Sequence, residues 1–258
     1  MTTSTYAAYP SLKGRPVVVS GGAMGIGEAI VRAFAAQGSK VGFVDIAVER
    51  GNALQAELRA KGQTVMFAPC NVKDVPAYRA AIDAFSIEHG NALALVNNAA
   101  HDERHDWDKV TPEFWDDRIA VNLKHAFFAA QAVAPGMIAA GMGSIINLGS
   151  ISWMIMSPKL PVYETAKAAA HGLSRSLARE LGKSGIRVNT LVPGWVMTER
   201  QLEKWVDAAA GKLIDESQTL AGRVYPDDLA RMALFLAADD SKMISAQDFI
   251  VDGGWAHG

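Results

Sequence analysis

A tyrosine and a lysine four residues apart are the side chains in this 258-residue chain whose spacing best suits chemistry. Tyr163 and Lys167 share one face if their segment is helical, because residues i and i+4 are neighbours on a helix. A free tyrosine has a pKa of about 10 and is a weak base at neutral pH, but a nearby ammonium group favours the phenolate. The pattern predicts that Lys167 lowers the pKa of Tyr163, which then takes a proton from an alcohol as hydride leaves its carbon.

Two more polar residues could belong to the same site. Ser150 follows an apolar run and precedes Tyr163 by 13 residues, so its hydroxyl could hold the substrate oxygen against Tyr163. Ser152 is the rival serine and could equally be a turn residue. Asn122 lies in an apolar segment, where a buried amide without a polar task would be costly. A helix cap or a kink partner is the alternative interpretation of Asn122.

A glycine-rich turn predicts a phosphate-binding site. The segment 20–27 (SGGAMGIG) joins an apolar run to a helical pattern. Gly21 allows a tight turn, Gly25 lets the backbone approach a pyrophosphate, and Gly27 lets the helix pack close to the strand. The free N–H groups and the dipole of the helix N-terminus suit an anion. Such turns also occur without a ligand, so the residues that follow decide the interpretation.

An acidic residue follows at the spacing that a dinucleotide site requires. Asp45 ends the next apolar run, 18 residues after Gly27, which is close to the distance at which a carboxylate binds the ribose of an adenosine. That carboxylate repels a 2′-phosphate, and residues 21–27 and 46–48 contain no Arg or Lys to attract one. These features predict NAD rather than NADP as the cofactor. A solvated loop carboxylate is the alternative.

Short apolar runs alternate with helical patterns along the whole chain. The predicted strands are 16–20, 41–45, 65–69, 93–97, 143–148, 186–191 and 249–251. The predicted helices are 26–37, one ending near 60, one ending near 89, a long one from about 113, and 163–182. Runs that are apolar throughout and alternate with helices indicate a parallel sheet covered on both faces. We predict an α/β fold, one doubly wound domain over 1–258 with about seven strands.

The order of these motifs resembles the short-chain dehydrogenase/reductase family. Its fingerprint T-G-x-x-x-G-x-G is matched at 20–27, with Ser20 in place of threonine, and its Y-x-x-x-K pair is matched at 163–167. The resemblance implies a Rossmann fold, a nicotinamide cofactor and a catalytic role for the residues that match its motifs. In the family, the asparagine is thought to hold a water that connects the lysine to bulk solvent. The implied catalytic set is Ser150, Tyr163, Lys167 and Asn122.

The resemblance also implies how the cofactor is held. The segment after the fourth strand lines the adenosine ribose in this family, and the Pro-Gly pair after the sixth strand leads to the nicotinamide. The implied cofactor-binding residues are Gly21, Gly25, Ile26, Gly27, Asp45, Ile46, Asn71, Val72, Asn98, Ala99, Tyr163, Lys167, Pro193, Gly194, Val196 and Thr198. Two positions depart from the family pattern, because Ala100 replaces a glycine and Asn71 replaces an acid. The Asn71 carbonyl can still accept a hydrogen bond from the adenine amino group.

A finer resemblance points to the substrate. The segments 9–14, 115–118, 149–153, 163–167 and 200–205 look like the bacterial D-xylose (aldose) 1-dehydrogenase branch, which oxidises C1 of a pyranose to a lactone with NAD. The candidate substrate residues are Ser150, Trp153, Tyr163, Glu164 and Trp195. Indole faces suit the C–H face of a sugar, and Glu164 could accept sugar hydroxyls. Core packing of the tryptophans and a solvated Glu164 are the alternatives. Residues 195–222, partly helical and amphipathic, are the natural lid over the substrate, or else a plain surface segment.

Two other functions remain open at the level of sequence. An enzyme of the same family could act on a 2-keto-3-deoxy sugar acid, a polyol or a ketoacyl compound. A non-enzymatic protein that senses NAD or acts as a scaffold is the second possibility. The presence of the complete catalytic set disfavours it.

Composition excludes several classes of protein. With 25 basic and 27 acidic residues, the chain has no basic surplus for binding nucleic acid. Its single cysteine, Cys70, excludes an internal disulfide and a cysteine-based zinc cluster, and suits a cytoplasmic protein. Residues 125–158 contain no Asp, Glu, Lys or Arg, but Pro135 and several glycines interrupt them. We therefore predict a buried helix and strand there and no membrane span.

The segment 101–106 (HDERHD) carries two histidines at i and i+4 among carboxylates, a spacing that resembles a metal site. The proposed chemistry requires no metal, and we predict none. Contact of His101 or Arg104 with the sugar or with another subunit is the favoured interpretation. The resemblance implies a homotetramer, with the uncharged helix from His125 and the helix 166–181 packed between subunits.

Overall fold

A seven-stranded sheet is the framework that positions the motifs. The computed structural model describes residues 7–256. The strands are β1 Pro16–Ser20, β2 Lys40–Asp45, β3 Val65–Pro69, β4 Ala94–Asn97, β5 Gly143–Leu148, β6 Ile186–Pro193 and β7 Asp248–Val251. Their order across the sheet is β3-β2-β1-β4-β5-β6-β7, and every neighbouring pair is parallel. The predicted doubly wound parallel sheet is confirmed. The outermost residues of the predicted domain, 1–6 and 257–258, lie outside the described part.

Helices connect the strands and cover the sheet. They are α1 Gly25–Ala36, α2 Val48–Ala60, α3 Val75–His89, α4 Pro112–Ile119, α5 His125–Ala140, α6 Pro161–Leu181, α7 Glu199–Lys204, α8 Ala208–Ser217 and α9 Pro226–Ala237. The long helix predicted from about residue 113 is not one regular α-helix. A π-helical segment, Ala120–Lys124, joins α4 to α5 and contains Asn122. Such segments often occur at functional sites.

Two cores lie on opposite faces of the sheet because side chains alternate along each strand. Val17 and Val19 of β1 pack into the core formed with α1, α2 and α9. Val18, between them, packs into the core formed with α3 and α5. The uncharged stretch 125–158 comprises α5, β5 and the segment after β5. Within residues 7–256, no helix is long and apolar enough to cross a membrane.

The connections create a crevice at one edge of the sheet. The chain runs from β1 outward through β2 and β3, and then crosses back so that β4 pairs with the other side of β1. At such a reversal the carboxyl ends of the strands open a ligand-binding crevice. β1 ends at Ser20, β4 at Asn97 and β5 at Leu148. The glycine-rich turn, the loop after β4 and Ser150 therefore meet at this edge.

Candidate active site

Three glycines of the glycine-rich turn lie where an added side chain would be too close to neighbouring atoms or would strain the backbone. A Cβ on Gly27 would lie 1.8 Å from the carbonyl oxygen of Gly21. Gly21 has a φ of +65°, and a Cβ there would lie 2.9 Å from Cα of Ala99. Gly25, which starts α1, has a φ of +57°, and its missing Cβ would lie 3.2 Å from Thr198. This bare backbone at the start of a helix fits the pyrophosphate of a nicotinamide cofactor.

Ser20 and Asn98 fasten this turn to the loop after β4. The backbone N–H groups of Asn98 and Ala99 both donate to the Ser20 hydroxyl at 3.1 Å. The side-chain amide of Asn98 donates to the carbonyl oxygens of Ser20 and Gly21 at 3.0 and 2.9 Å. The hydroxyl at position 20 thus joins two loops, a task that serine performs as well as threonine. Asn98 and Ala99 therefore lie beside the glycine-rich turn.

Asp45 holds the same turn from the end of β2. Its Oδ2 accepts a hydrogen bond from the Ala23 N–H at 2.9 Å, and its Oδ1 accepts one from the Ala47 N–H at 3.0 Å. The residue is only 8% exposed, so it is not a solvated loop carboxylate. Each oxygen keeps a further lone pair that could accept from a ribose hydroxyl. Ile46, next in the chain, is 71% exposed beside it.

The other predicted cofactor residues lie at or just after the ends of β1, β3 and β6. Val72 is buried, whereas Asn71 is exposed and its Oδ1 accepts from the Lys73 N–H at 3.1 Å. Gly194 passes so close to β7 that a Cβ would lie 2.6 Å from Cα of Asp252. The Thr198 hydroxyl caps α7. The positions not yet placed are Ile26 in the first turn of α1, Pro193 at the end of β6, and Val196, which pairs with Val224 in an isolated bridge.

Tyr163 and Ser150 come together at the carboxyl end of β5. Tyr163 lies in the first turn of α6, whose start at Pro161 fixes a helical φ without losing a hydrogen bond. Burial raises the pKa of the Tyr163 hydroxyl, and the negative charge of Asp102 raises it further. A hydrogen bond with Ser150 acts in the opposite direction and lowers it. Ser150 also accepts from the Ser152 N–H at 3.1 Å, so the rival serine supports Ser150 through its backbone.

The predicted effect of Lys167 on Tyr163 requires a correction. Lys167 is 2% exposed, and its Nζ lies 5.7 Å from the centre of the Tyr163 ring. The ammonium donates instead to the carbonyl oxygen of Leu148 at 2.8 Å. The pKa of Tyr163 is raised and not lowered, because burial and the negative charge of Asp102 outweigh the opposing hydrogen bond with Ser150 and the positive charge of Arg200. Burial also lowers the pKa of Lys167 itself, to about 8.

Asn122 is buried with its amide in use. Its Oδ1 accepts from the His101 N–H at 2.8 Å, and its Nδ2 donates to the His101 carbonyl oxygen at 3.2 Å. The backbone of the loop after β4 therefore offsets the cost of burying this amide. Asn122 fixes that loop against the π-helical segment.

The two predicted substrate tryptophans each contact a neighbouring side chain, whereas Glu164 keeps one buried oxygen without a partner among the described residues. The indole N–H of Trp195 donates to Gln201 at 3.0 Å, at the start of the predicted lid. Trp153 is 37% exposed, and its ring lies edge-on against His171, at 5.2 Å between ring centres. Glu164 has one oxygen, Oε1, that is buried without a hydrogen-bond partner among the described residues, and burial raises the pKa of its carboxyl. An unpaired buried acceptor suits a hydroxyl-bearing ligand better than a solvated surface role.

Sequence reasoning missed the polar contacts around the loop after β4. Asp102 pairs with Arg200 and Gln201 of α7 at 3.0 and 2.7 Å. The ring of His101 lies between Arg118 and Arg200, and burial and these two positive charges lower its pKa. In the sequence, the charged segment 101–106 after β4 indicated this cluster. Its partners Arg118 and Arg200 lie far away in the chain and could not be identified from that segment. Among residues 7–256, no group of three or more His, Cys, Asp or Glu could hold a metal ion.

His125 is a second residue that the sequence did not single out. It is 2% exposed, and its Nε2 lies 3.0 Å from the carbonyl oxygen of Ala99. Burial and the positive charge of Lys167 lower its pKa to about 3. The imidazole is therefore neutral beside the buried lysine at physiological pH.

Comparisons with known proteins find relatives that match nearly the whole chain. A family model described as enoyl-(acyl carrier protein) reductase matches residues 21–256. The chain is 45% identical to a D-xylose 1-dehydrogenase of Caulobacter vibrioides, over 96% of this chain and 98% of the relative. It is also 45% identical to a probable galactose dehydrogenase of Rhizobium meliloti, over 95% and 96% of the two chains. A crystal structure of a gluconate 5-dehydrogenase from Burkholderia cenocepacia, in complex with NADP and tartrate, superposes with a TM-score of 0.89 at 32% identity, covering 96% and 98%.

Proposed function

The chain belongs to the short-chain dehydrogenase/reductase family of oxidoreductases, and on that premise we propose that it oxidises the C1 hydroxyl of an aldose, such as D-xylose or L-arabinose, to the lactone with NAD. The observation that carries this proposal is the meeting of Ser150 and Tyr163 above the buried Lys167, in a chain 45% identical to two sugar dehydrogenases. The unpaired Oε1 of Glu164 and the indole of Trp195 add groups that suit a sugar.

In the proposed reaction, the Ser150 hydroxyl orients the C1 hydroxyl of the sugar toward Tyr163. The Tyr163 phenolate accepts the hydroxyl proton while the C1–H bond breaks, so that a C=O bond forms at C1. A bound oxidised nicotinamide would supply the acceptor for this hydride and a positive charge that favours the phenolate. Lys167 fixes the end of β5 through Leu148 and adds its own positive charge beneath the tyrosine. Asn122 keeps the loop after β4 in place.

We propose NAD as the preferred cofactor on the evidence of β2 and the residues after it. The buried Asp45 carboxylate would repel a 2′-phosphate, and Ile46 offers an apolar surface where a cation would be needed to attract one. The gluconate 5-dehydrogenase that superposes on this chain was crystallised with NADP, so cofactor choice within the fold depends on such local residues. The other residues that the family resemblance implies, among them Gly25, Asn98 and Thr198, are likewise proposed to bind the cofactor.

Three broader proposals concern the molecule as a whole. The described residues, 7–256, form one nucleotide-binding domain with its own substrate pocket, and residues 195–222 form the lid. The subunits assemble as a homotetramer through α5 and α6. A protein that sediments as a monomer at micromolar concentration would contradict this assembly. The single cysteine suits a cytoplasmic location.

The test is a panel of pentoses and hexoses assayed with NAD and with NADP at alkaline pH, with the lactone identified as the product. The proposal expects the highest kcat/KM for an aldose with NAD. Polyols, 2-keto-3-deoxy sugar acids and ketoacyl compounds complete the panel, because other members of the family could use them. Activity confined to NADPH and a carbonyl compound would overturn the sugar-oxidation proposal.

A further inference from the structure

A chain of polar contacts beside Tyr163 joins the loop after β4 to α7, and the reaction proposed above does not use it. Asp102 lies at its centre. One carboxylate oxygen lies 3.0 Å from Nη2 of Arg200, and the other accepts from the Gln201 side-chain amide at 2.7 Å. Oε1 of the Gln201 side chain in turn accepts from the indole N–H of Trp195 at 3.0 Å.

This carboxylate is fixed at the reacting end of the crevice. The negative charge of Asp102 raises the pKa of the Tyr163 hydroxyl, and the positive charge of Arg200 lowers it. The charge of Asp102 also raises the pKa of Lys167. The loop that carries Asp102 is held by Asn122, which binds both backbone polar groups of His101. Asp102 is therefore positioned from both sides, by α7 and by the π-helical segment.

The cluster has hydrogen-bonding capacity to spare. A carboxylate offers about four acceptor positions, and the contacts of Asp102 with Arg200 and Gln201 use two of them. The Asp102 side chain is 27% exposed, so a ligand can reach it. Nε of Arg200 is buried and lacks a hydrogen-bond partner among residues 7–256. Acceptors beside an unused donor suit hydroxyl groups, which both donate and accept.

The same arrangement is unsuited to an acidic substrate. Arg200 is the guanidinium whose charge reaches Tyr163, and Asp102 already neutralises it. Arg118, on the other side of His101, is paired with Asp117 and Glu103. A substrate carboxylate placed beside Asp102 would meet its negative charge, while the neighbouring guanidiniums of Arg200 and Arg118 are already paired with carboxylates.

We propose that Asp102 is a specificity-determining residue that accepts a hydrogen bond from a hydroxyl group of the sugar other than the one on C1. This role rests on the proposed sugar oxidation. Arg200 and Gln201 orient the carboxylate, and the site thereby selects neutral polyhydroxylated substrates over sugar acids.

The test compares the best aldose with its monodeoxy analogues, each lacking one hydroxyl away from C1. In the wild-type enzyme, at least one analogue is expected to lose about 10- to 100-fold in kcat/KM, because a charged acceptor is left without its donor. In Asp102→Asn this preference for the hydroxylated sugar should fall close to one, while the affinity for NADH is unchanged. Asp106→Asn, the matched change on the exposed part of the same loop, should keep the wild-type preference.

A second variant separates contact with the sugar from a purely structural role. Arg200→Gln removes the ion pair but keeps the carboxylate, so it should lower kcat/KM and still distinguish the same deoxy sugar. If Asp102→Asn lowers kcat/KM for the aldose and for all its analogues by one common factor, Asp102 only holds α7 in place and the inference is wrong. If the wild-type enzyme oxidises no aldose, the proposed function itself fails, and this role fails with it.

Discussion

The ammonium of Lys167 lies 5.7 Å from the centre of the Tyr163 ring and is fully buried beneath it. Burial acts on both groups in the direction that removes charge, because it raises the pKa of the tyrosine and lowers that of the lysine. The protein alone therefore holds Tyr163 as a neutral phenol at neutral pH. Turnover in the oxidation direction should increase with pH, because only the phenolate can accept the proton of the alcohol.

Replacing Tyr163 by phenylalanine tests the proposed base directly. The variant Tyr163→Phe keeps the ring and removes the hydroxyl, so kcat should fall about 10²- to 10⁴-fold. Binding of NADH, followed by fluorescence titration, should be retained. Tyr9→Phe, a matched change in the half-buried Tyr9 near the end of α1, should leave kcat unchanged. Wild-type turnover in Tyr163→Phe would show that the base is another group.

The pH dependence of kcat/KM should respond in opposite directions to two substitutions in one ion pair. Asp102 raises the pKa of Tyr163, so Asp102→Asn lowers it and moves the alkaline rise of kcat/KM to lower pH. Arg200 lowers the same pKa, so Arg200→Gln moves the rise to higher pH. The profiles are measured with saturating NAD and the same sugar. Shifts of the same sign in both variants would mean that the two charges do not act on the titrating base.

The choice of cofactor should change when a cation is placed after Asp45. Ile46 is 71% exposed, so Ile46→Arg adds a guanidinium without disturbing the core. An arginine binds a 2′-phosphate with charge-assisted hydrogen bonds, and the ratio of kcat/KM for NADP to that for NAD should rise about tenfold. Ile87→Arg, at an 88% exposed position on α3, is the matched control and should not change the ratio. An unchanged ratio in Ile46→Arg would place the adenosine elsewhere.

The glycine-rich turn should not tolerate even one methyl group. Gly27→Ala would place its Cβ 1.8 Å from the Gly21 carbonyl oxygen, so the turn must shift. We expect weaker NADH binding and a loss of about 1 to 3 kcal/mol in the free energy of unfolding. Gly182→Ala is the control, because a Cβ at Gly182 meets nothing within 4 Å. Equal behaviour of the two variants would contradict the close packing described here.

Local patterns predicted the elements, whereas distant contacts decided the site. The strand predicted at 65–69 is β3 Val65–Pro69, because apolar period and flanking glycine are properties of the segment itself. The π-helical segment escaped prediction, since the apolar pattern continues through 113–140 whichever hydrogen-bond register the backbone adopts. The amide of Asn122 binds a residue 21 positions away, and Asp102 binds Gln201, 99 positions away. Such partners follow from the packing of the whole sheet, which no local pattern contains.

The same limit applies to the chemistry of the tyrosine. The spacing of Tyr163 and Lys167 correctly predicted that they share a helix face, and it wrongly predicted the direction of the pKa shift. Helical spacing gives proximity, but burial decides which charge state is favoured. The depth of a residue depends on the loops that cover it, and these come from remote parts of the chain.

The buried His125 should make the fold sensitive to acid. Burial and the charge of Lys167 lower its pKa to about 3, whereas an unfolded histidine titrates near 6.5. Between these values the unfolded chain binds the proton and the folded chain does not, so stability is fully present above pH 6.5 and decreases as the pH falls. At pH 5 the loss from this residue is about 2 kcal/mol. In His125→Gln, whose amide can still donate to the Ala99 carbonyl, this loss should disappear. Urea unfolding at pH 7.5 and pH 5, at one protein concentration, measures the difference, and an equal acid sensitivity in both proteins would rule out His125 as its source.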